Sequence, residues 1–493
     1  MVAIRRDDQV LGHEPARPEF EDLASDIENA NQLISMLDAE QAHIEECDDY
    51  YYGAHRMPYM PKEAAGEYRE LARRSITNMV PLIVSNLSQL LYVEGYVPGY
   101  ASDAGENAPT WAAWEANRMA IRQRALWRGM LRYGVAYTSV VADDNGRGDG
   151  LPTVTLHSPS RMIAGYLDPA NDERPVCAIE RIGPVGKRTR YRYWREDGTW
   201  IEFTSGRDSE GGRKLDAGAE GYSGLDHCPI IRHTYDLDIN GRYLGEIKPV
   251  ITLQDRLNQT VMDRMVLQTY NSFRIRYAAG MDIADDAERL KIAASRFLIA
   301  DDPDTKFGTL EGTPLDGILK AVANDQETVA AVGVMPPHYL TGELNNLGAE
   351  AIAEARAAME AKASEIKHAA GEGVKQLFRD LAELTGDTVD ATDYEAQVLW
   401  HDAQNRSLSQ VADALGKLAT MLGVPVTELW SRIPGVTQAD VKRWRAAYEA
   451  EQESRLANQM IFDETERENA ASGTDEPSPD REQSLGESDD PIN

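Results

Sequence analysis

At 493 residues the chain is long enough to bury at least one large core and to hold two or three substructures. Its 82 acidic against 51 basic residues give a net charge of -31, which argues against a protein that grips nucleic acid through a broadly basic face. Three widely separated cysteines, Cys47, Cys177 and Cys228, exclude a disulfide framework, and no apolar run reaches the roughly 18 residues of a membrane span.

In chain order, Leu33, Ile34, Leu37 and Ile44 recur at helical spacing between Ile27 and Tyr52, and Gly53, Pro58 and Pro61 then break the pattern. A second helix is predicted from Glu67 to Val93, with Ile76, Val80, Ile83, Val84, Leu87, Leu90 and Leu91 on its apolar side and Pro81 starting or kinking it. A third runs from Trp111 to Tyr133. The period then changes. Residues 134–240 are rich in β-branched runs and hold the hairpin signal Asp197-Gly198. Within them "SGRDSEGGRKLDAGAEGYSG" reads as a soft linker.

From Ile247 to Phe273 the spacing is helical again, with Val250, Leu253, Leu257, Val261 and Met265 on one face and Asp255, Arg256, Asn258 and Arg264 assigned to the polar side. A mixed insert over Ile275 to Leu315 holds the strand-like "RFLIA", and a helix from Leu315 to Val332 follows. The next segment, "VGVMPPHYLTGELNNLG", carries Glu343 as its only formal charge, and Pro336 and Pro337 forbid a continuous helix there. It leads into the longest helical pattern, about 36 residues ending near Gly386 and spanning some 54 Å, which Gly371 and Gly373 are positioned to bend. Further helices occupy Ser407 to Met460, in an arrangement like a helix-turn-helix or an ordinary helical hairpin. The rest reads as an acidic disordered tail.

Enzyme signatures fail on their residues. "GPVGKR" lacks the spacing and the hydroxyl residue of a phosphate-binding loop around Lys187, and "GYSGL" has Leu225 where a nucleophile elbow needs glycine. At Asp143 a calcium-like loop begins, but Arg147 and Val154 replace oxygen ligands. His227-Cys228 and His43 with Cys47 lack zinc spacing. No catalytic, metal or cofactor residue is therefore assigned, and a metal-dependent nuclease stays only as a remote third class.

The order of features from Ile247 to Leu384, a helix with "LQDRLNQTVMDRM", an insert, a second helix, a Pro-Pro loop and a long Ala-rich helix, resembles the portal protein of tailed double-stranded DNA bacteriophages of the siphophage type. Gly333, Pro336, Pro337, Leu340, Gly342, Asn346 and the Ala349-Glu350-Ala351 run fall on the family's pattern. Gly348 departs from it, standing where a small hydroxyl residue is common. The resemblance implies an α+β, mainly helical portal fold. In it residues 1–26 are an N-terminal arm, 27–246 a wing, 247–274 and 315–333 the stem helices, and 275–314 the clip. Residues 334–348 are the tunnel loop, 349–406 the long helix and return to the wing, 407–460 the crown, and 461–493 the acidic tail.

It also implies a non-enzymatic ring, usually of twelve subunits, at one capsid vertex of the virion, assembled in the host cytoplasm. Double-stranded DNA enters and leaves through it, with Val334, Met335, Pro336, Pro337, His338, Tyr339, Leu340, Thr341, Asn345 and Asn346 facing the channel. The partners implied are the terminase large subunit, the major capsid and scaffolding proteins and a head-tail adaptor, with no cofactor and no membrane. Another oligomeric virion component, such as an adaptor or minor capsid protein, is the alternative. Twelve helices about 10 Å apart close a ring about 38 Å across, and subtracting about 5 Å of helix on each side leaves roughly 28 Å. A duplex roughly 20 Å wide passes such an opening.

Overall fold

The computed structural model describes residues 26–60, 65–99, 109–142, 150–207, 212–272, 276–279, 306–309, 312–342, 349–401, 408–433, 436 and 438–472. They fall into two compact units, Met1–Gln404 and Asn405–Asn493. The first is mainly helical with four small antiparallel sheets, an α+β architecture.

Its helices are α1 (Asp26–Tyr52), α2 (Ala65–Ser75), α3 (Val80–Leu90), α4 (Pro109–Ala116), α5 (Met119–Tyr133), α6 (Ile251–Ser272), α7 (Asp316–Val332), the short α8 (His338–Thr341) and α9 (Ala349–Thr385). Two predicted helices are each split. Residues 76–79 separate α2 from α3, whose first turn holds Pro81. Arg118, in the left-handed region at φ 55°, separates α4 from α5.

Strands β4 (Met162–Gly165), β5 (Cys177–Val185), β6 (Arg188–Arg195), β7 (Thr199–Arg207) and β8 (Arg213–Tyr222) form one meander in chain order. The Asp197-Gly198 hairpin joins β6 to β7, with Gly198 at φ +76°. β8 corrects the linker expectation. Its Gly, Asp and Lys content reads as loop, yet it pairs with β7 from Arg213 to Tyr222 as an exposed edge strand.

Alternation along these strands sets the layers. Cys177, Ile179, Tyr191, Tyr193 and Phe203 face a core with Leu33, Ile34 and Leu37 of α1. Ala178 and Trp194 face the opposite way, against Val135 and Tyr137 of β2 (Val135–Val141) and Ile230 of β9 (Ile230–Thr234). β2 pairs with both β9 and β3 (Thr153–His157), and its other face gives Ala136 and Val140 to the main helical core. The layers thus run α1, five strands, three strands, helices. Each buried leucine or isoleucine of α1 contributes about 1.5–3 kcal/mol of transfer free energy.

In the helical layer, α3, α5, α6, α7 and α9 share one core. Trp114 and Phe378 stack at 5.3 Å between ring centres, with Tyr96 on Phe378 at 4.2 Å. β1 (Val93–Val97) pairs with β12 (Gln397–Trp400), returning the chain after α9 to the layer it left. The cysteines are free and buried, and burial pushes the Cys47 and Cys177 thiols up to about 12.

In the second unit, α10 (Leu408–Leu422), α11 (Val426–Leu429) and α12 (Gln438–Ser472) form a small helical group with Trp430 edge-on to Trp444 and Tyr448. α12 runs twelve residues into the segment expected to be tail, because its Glu, Arg and Ala residues favour helix despite the charge excess.

Candidate functional site

α6 and α7 pack side by side, joined by Arg256 Nε to Asp325 Oδ1 at 2.8 Å and by the Thr260 hydroxyl donating to Asp325 Oδ2 at 2.7 Å. Beyond them β10 (Arg276–Ala279) and β11 (Lys306–Thr309) pair as a two-stranded sheet. The insert is closed at its root by two reciprocal bonds. Asn271 Nδ2 donates to the Thr313 carbonyl at 2.8 Å, and the Thr313 N–H donates to Asn271 Oδ1 at 3.2 Å. "RFLIA" lies outside the described residues.

The base of α6 is fixed by buried amides. Gln254 and Asn258 are 0 % and 1 % exposed, so the polar side assigned to Asn258 from its residue type is corrected here. Gln254 Oε1 accepts from the Met79 N–H at 3.0 Å, and its Nε2 donates to the Thr77 carbonyl at 2.8 Å. Asn258 Oδ1 accepts from the Thr77 N–H at 3.0 Å, and its Nδ2 donates to His55 Nδ1 at 2.9 Å. His55 Nε2 then donates to the Tyr50 carbonyl at 3.0 Å, which fixes its tautomer. These side chains supply the backbone pairing that residues 76–79, lying between two helices, cannot supply themselves.

α7 ends in a Schellman motif: the Met335 N–H reaches back to the Ala330 carbonyl at 2.8 Å, and the Val334 N–H to Ala331 at 3.2 Å. The left-handed position of such a motif normally takes glycine. Here it holds Val334 at φ 51°, a β-branched residue in a conformation costing about 1–2 kcal/mol. The glycine instead precedes it. A Cβ on Gly333 would stand 3.0 Å from Ile83 Cδ1, so its absence lets the end of α7 approach α3.

Pro336 follows, buried, and Pro337 caps α8, whose C-terminal Gly342 at φ 71° donates to the His338 carbonyl. Met335 and Leu340, 5 % and 7 % exposed, join the main core, and Asn86 Nδ2 lies 3.7 Å from the Met335 sulfur. Pro337 is exposed, while Val334, His338, Tyr339 and Thr341 are half-buried. The segment is therefore divided: two apolar side chains and one proline hold it down, and the residues between them reach solvent. Asn345 and Asn346 lie outside the described residues. The resemblance assigns all ten to one channel-facing loop. The signal for the split was present in Met335 and Leu340, large apolar side chains flanking a polar turn.

Beside the last turn of α7 a cavity of about 220 Å³ is lined by Val332, Asp236, Glu246 and Lys362 among others. Glu246 accepts from the Tyr235 hydroxyl at 2.8 Å on one oxygen and from Lys362 Nζ at 2.5 Å on the other, and burial holds the Asp236 carboxyl above its ordinary range. Among the described residues no group of three His, Cys, Asp or Glu is placed to hold a metal ion. No helix among them is long and apolar enough to cross a membrane.

The described residues thus give a pair of packed helices, α6 and α7, with a two-stranded sheet beyond them and an anchored Pro-Pro turn after α7. The chain matches the phage portal protein family of the SPP1 Gp6-like type over residues 30–454, and it belongs to that family. It is thus a structural phage protein of the virion's portal vertex. The portal protein of Mycobacterium phage D29 is 24% identical over 430 residues, covering 81% of this chain and 84% of that one. Among solved structures, the neck of an empty GTA particle computed with C6 symmetry covers 77% of this chain and 95% of its own at a TM-score of 0.42 and 13% identity. The neck of the native particle computed with C12 symmetry covers 78% and 99% at 0.40 and 13%.

Proposed function

We infer that twelve copies of this chain close into a ring whose axial opening conducts double-stranded DNA into the head during packaging and out of it during ejection. The observation that carries this reading is the anchored turn at Val334–Gly342 on a chain of the portal family. In it α6 and α7 are the stem, and β10 with β11 belongs to the clip that meets the terminase large subunit and later the head-tail adaptor. Residues 27–246 form the wing toward the capsid and scaffolding proteins, and residues 407–460 of the second unit are the crown.

The divided turn suits passage. Met335, Pro336 and Leu340 hold it, while Pro337, His338, Tyr339 and Thr341 touch the duplex without a fixed cation that would retain phosphate. The net charge of -31 works in the same direction, repelling a polyanion from the wall. Energy for translocation comes from the terminase ATPase and not from this chain.

Electron micrographs of the purified protein test the ring: closed particles with an axial hole are expected, and monodisperse monomers overturn it. Replacing Pro336 and Pro337 with Ala in the phage is then expected to leave ring assembly intact and reduce packaged DNA. Normal head filling in that double variant removes the role given to the turn.

A further inference from the structure

At one end of the five-stranded sheet, where β5 turns into β6 and β7 approaches β8, cations gather on a chain otherwise dominated by acids. Lys187, Arg188, Arg207 and Arg213 line an open groove of about 930 Å³, and Asn31 and Ser35 of α1 form its other wall.

The register there is unfavourable to the sheet alone. Arg207 stands opposite Arg213 on the β7–β8 ladder, and like charges facing each other across strands are destabilising. Arg213 turns away to Asp38 of α1 at 2.6 Å, and Arg188 is held by Asp216 at 2.7 Å. Arg207 and Lys187 are exposed and have no acid within ion-pair distance among the described residues. Two cations with no acidic partner among the described residues, beside a groove, are a feature that folding does not require.

We propose that this groove docks a carboxylate-rich, extended peptide segment of a partner protein, with acids of the peptide pairing with Lys187 and Arg207. Ser35, whose hydroxyl donates to the Asn31 carbonyl at 2.9 Å, keeps its oxygen lone pairs to accept a peptide N–H. Arg207 offers the planar fork that matches a carboxylate in two parallel bonds, and Lys187 adds a point charge. Nucleic acid fits less well. Each neutralised phosphate contributes a salt slope of about -0.9, so two free cations give a polynucleotide little, and the rest of the chain repels it. The proposal stands on the groove alone and does not need the ring.

The test is fluorescence anisotropy on the full-length chain at about 0.15 M salt. The probes are a labelled Asp/Glu-rich peptide about twelve residues long, able to span the groove when extended, and a labelled DNA duplex of similar length. The peptide is expected to bind, and Lys187→Glu with Arg207→Glu to weaken it at least about tenfold. Lys187→Gln with Arg207→Gln weakens it less, and Arg69→Glu on α2 leaves it unchanged. Because both groove side chains are exposed and have no ion pair among the described residues, the far-UV spectrum should not move. Should the Glu pair disturb it, the Gln pair carries the same reading through its smaller loss. Three results overturn the proposal: equal weakening by Arg69→Glu, tighter binding of the duplex than of the peptide, or loss of self-association in the Glu pair with peptide affinity unchanged.

Discussion

Two helices of the first unit meet their neighbours in opposite ways. α1 lies on the five-stranded sheet mainly through Ala30, Leu33, Ile34 and Leu37, with Asp38 meeting Arg181 and Arg213 at the rim and only Asn29 and Glu40 among its polar side chains buried. α6 instead turns Gln254 and Asn258 inward to pair with the backbone of residues 77 and 79. Apolar contact has no preferred direction and tolerates a small slide. Amide pairing does not, because a shift of one residue leaves buried groups unbonded. The shaft of the molecule is thus set in register by hydrogen bonds, while its outer layer is held by area.

The sharpest way to probe the apolar side is Leu37→Ala, which should lower stability by about 3 kcal/mol in urea unfolding, since Leu37 is fully buried. On the polar side, Asn258→Leu keeps the volume but strands the Thr77 N–H and His55 Nδ1, at a loss of about 2–3 kcal/mol by the same measurement. A smaller loss than that of a rim charge would break the contrast.

A third effect is pH-dependent. Burial lowers the His233 imidazole to about 3, so the native state excludes a proton that the unfolded chain binds near 6.5. Its contribution is therefore complete above about pH 6.5 and falls by about 1.4 kcal/mol per pH unit below it, until about pH 3. By pH 5 the loss is about 2 kcal/mol, and a stability-pH series on His233→Gln should show that slope flattened.

Rim charges come next. Asp38→Ala breaks two pairs around a carboxylate that is 45% exposed and should change stability by less than about 1 kcal/mol. The smallest effect is expected at Val334. Val334→Gly relieves the left-handed strain but adds freedom to the unfolded chain, so the two nearly cancel, with a net gain below about 1 kcal/mol in the urea midpoint.

Much of the helical order could be read directly. The inward face of α1 follows from Leu33, Ile34 and Leu37, the Pro-Pro break from Pro336 and Pro337, and the β6–β7 hairpin from Asp197-Gly198. What resisted reading has a common physical origin. Asn258 looks like a surface residue until the backbone it satisfies is known, and that backbone lies 181 positions away. β8 carries an exposed edge, so its residues are chosen for solvent and hide the strand. Arg118 breaks a helix by adopting a left-handed conformation that only its surroundings enforce. In the candidate site, Met335 and Leu340 were grouped with the solvent-facing residues because a loop between helices is uncharged in either role. The basic groove escaped notice because its cations come from two separate places in the chain, the β5–β6 turn and the facing ends of β7 and β8.

The paired bonds between Asn271 and Thr313 act as a clasp on everything threaded between them. Closing a longer or shorter loop through the same two atoms changes the entropy only by about 0.6 kcal/mol for each doubling of length. A descendant can therefore exchange the enclosed segment for one of another length or shape while the paired helices below keep their alignment, so the two parts are free to diverge separately.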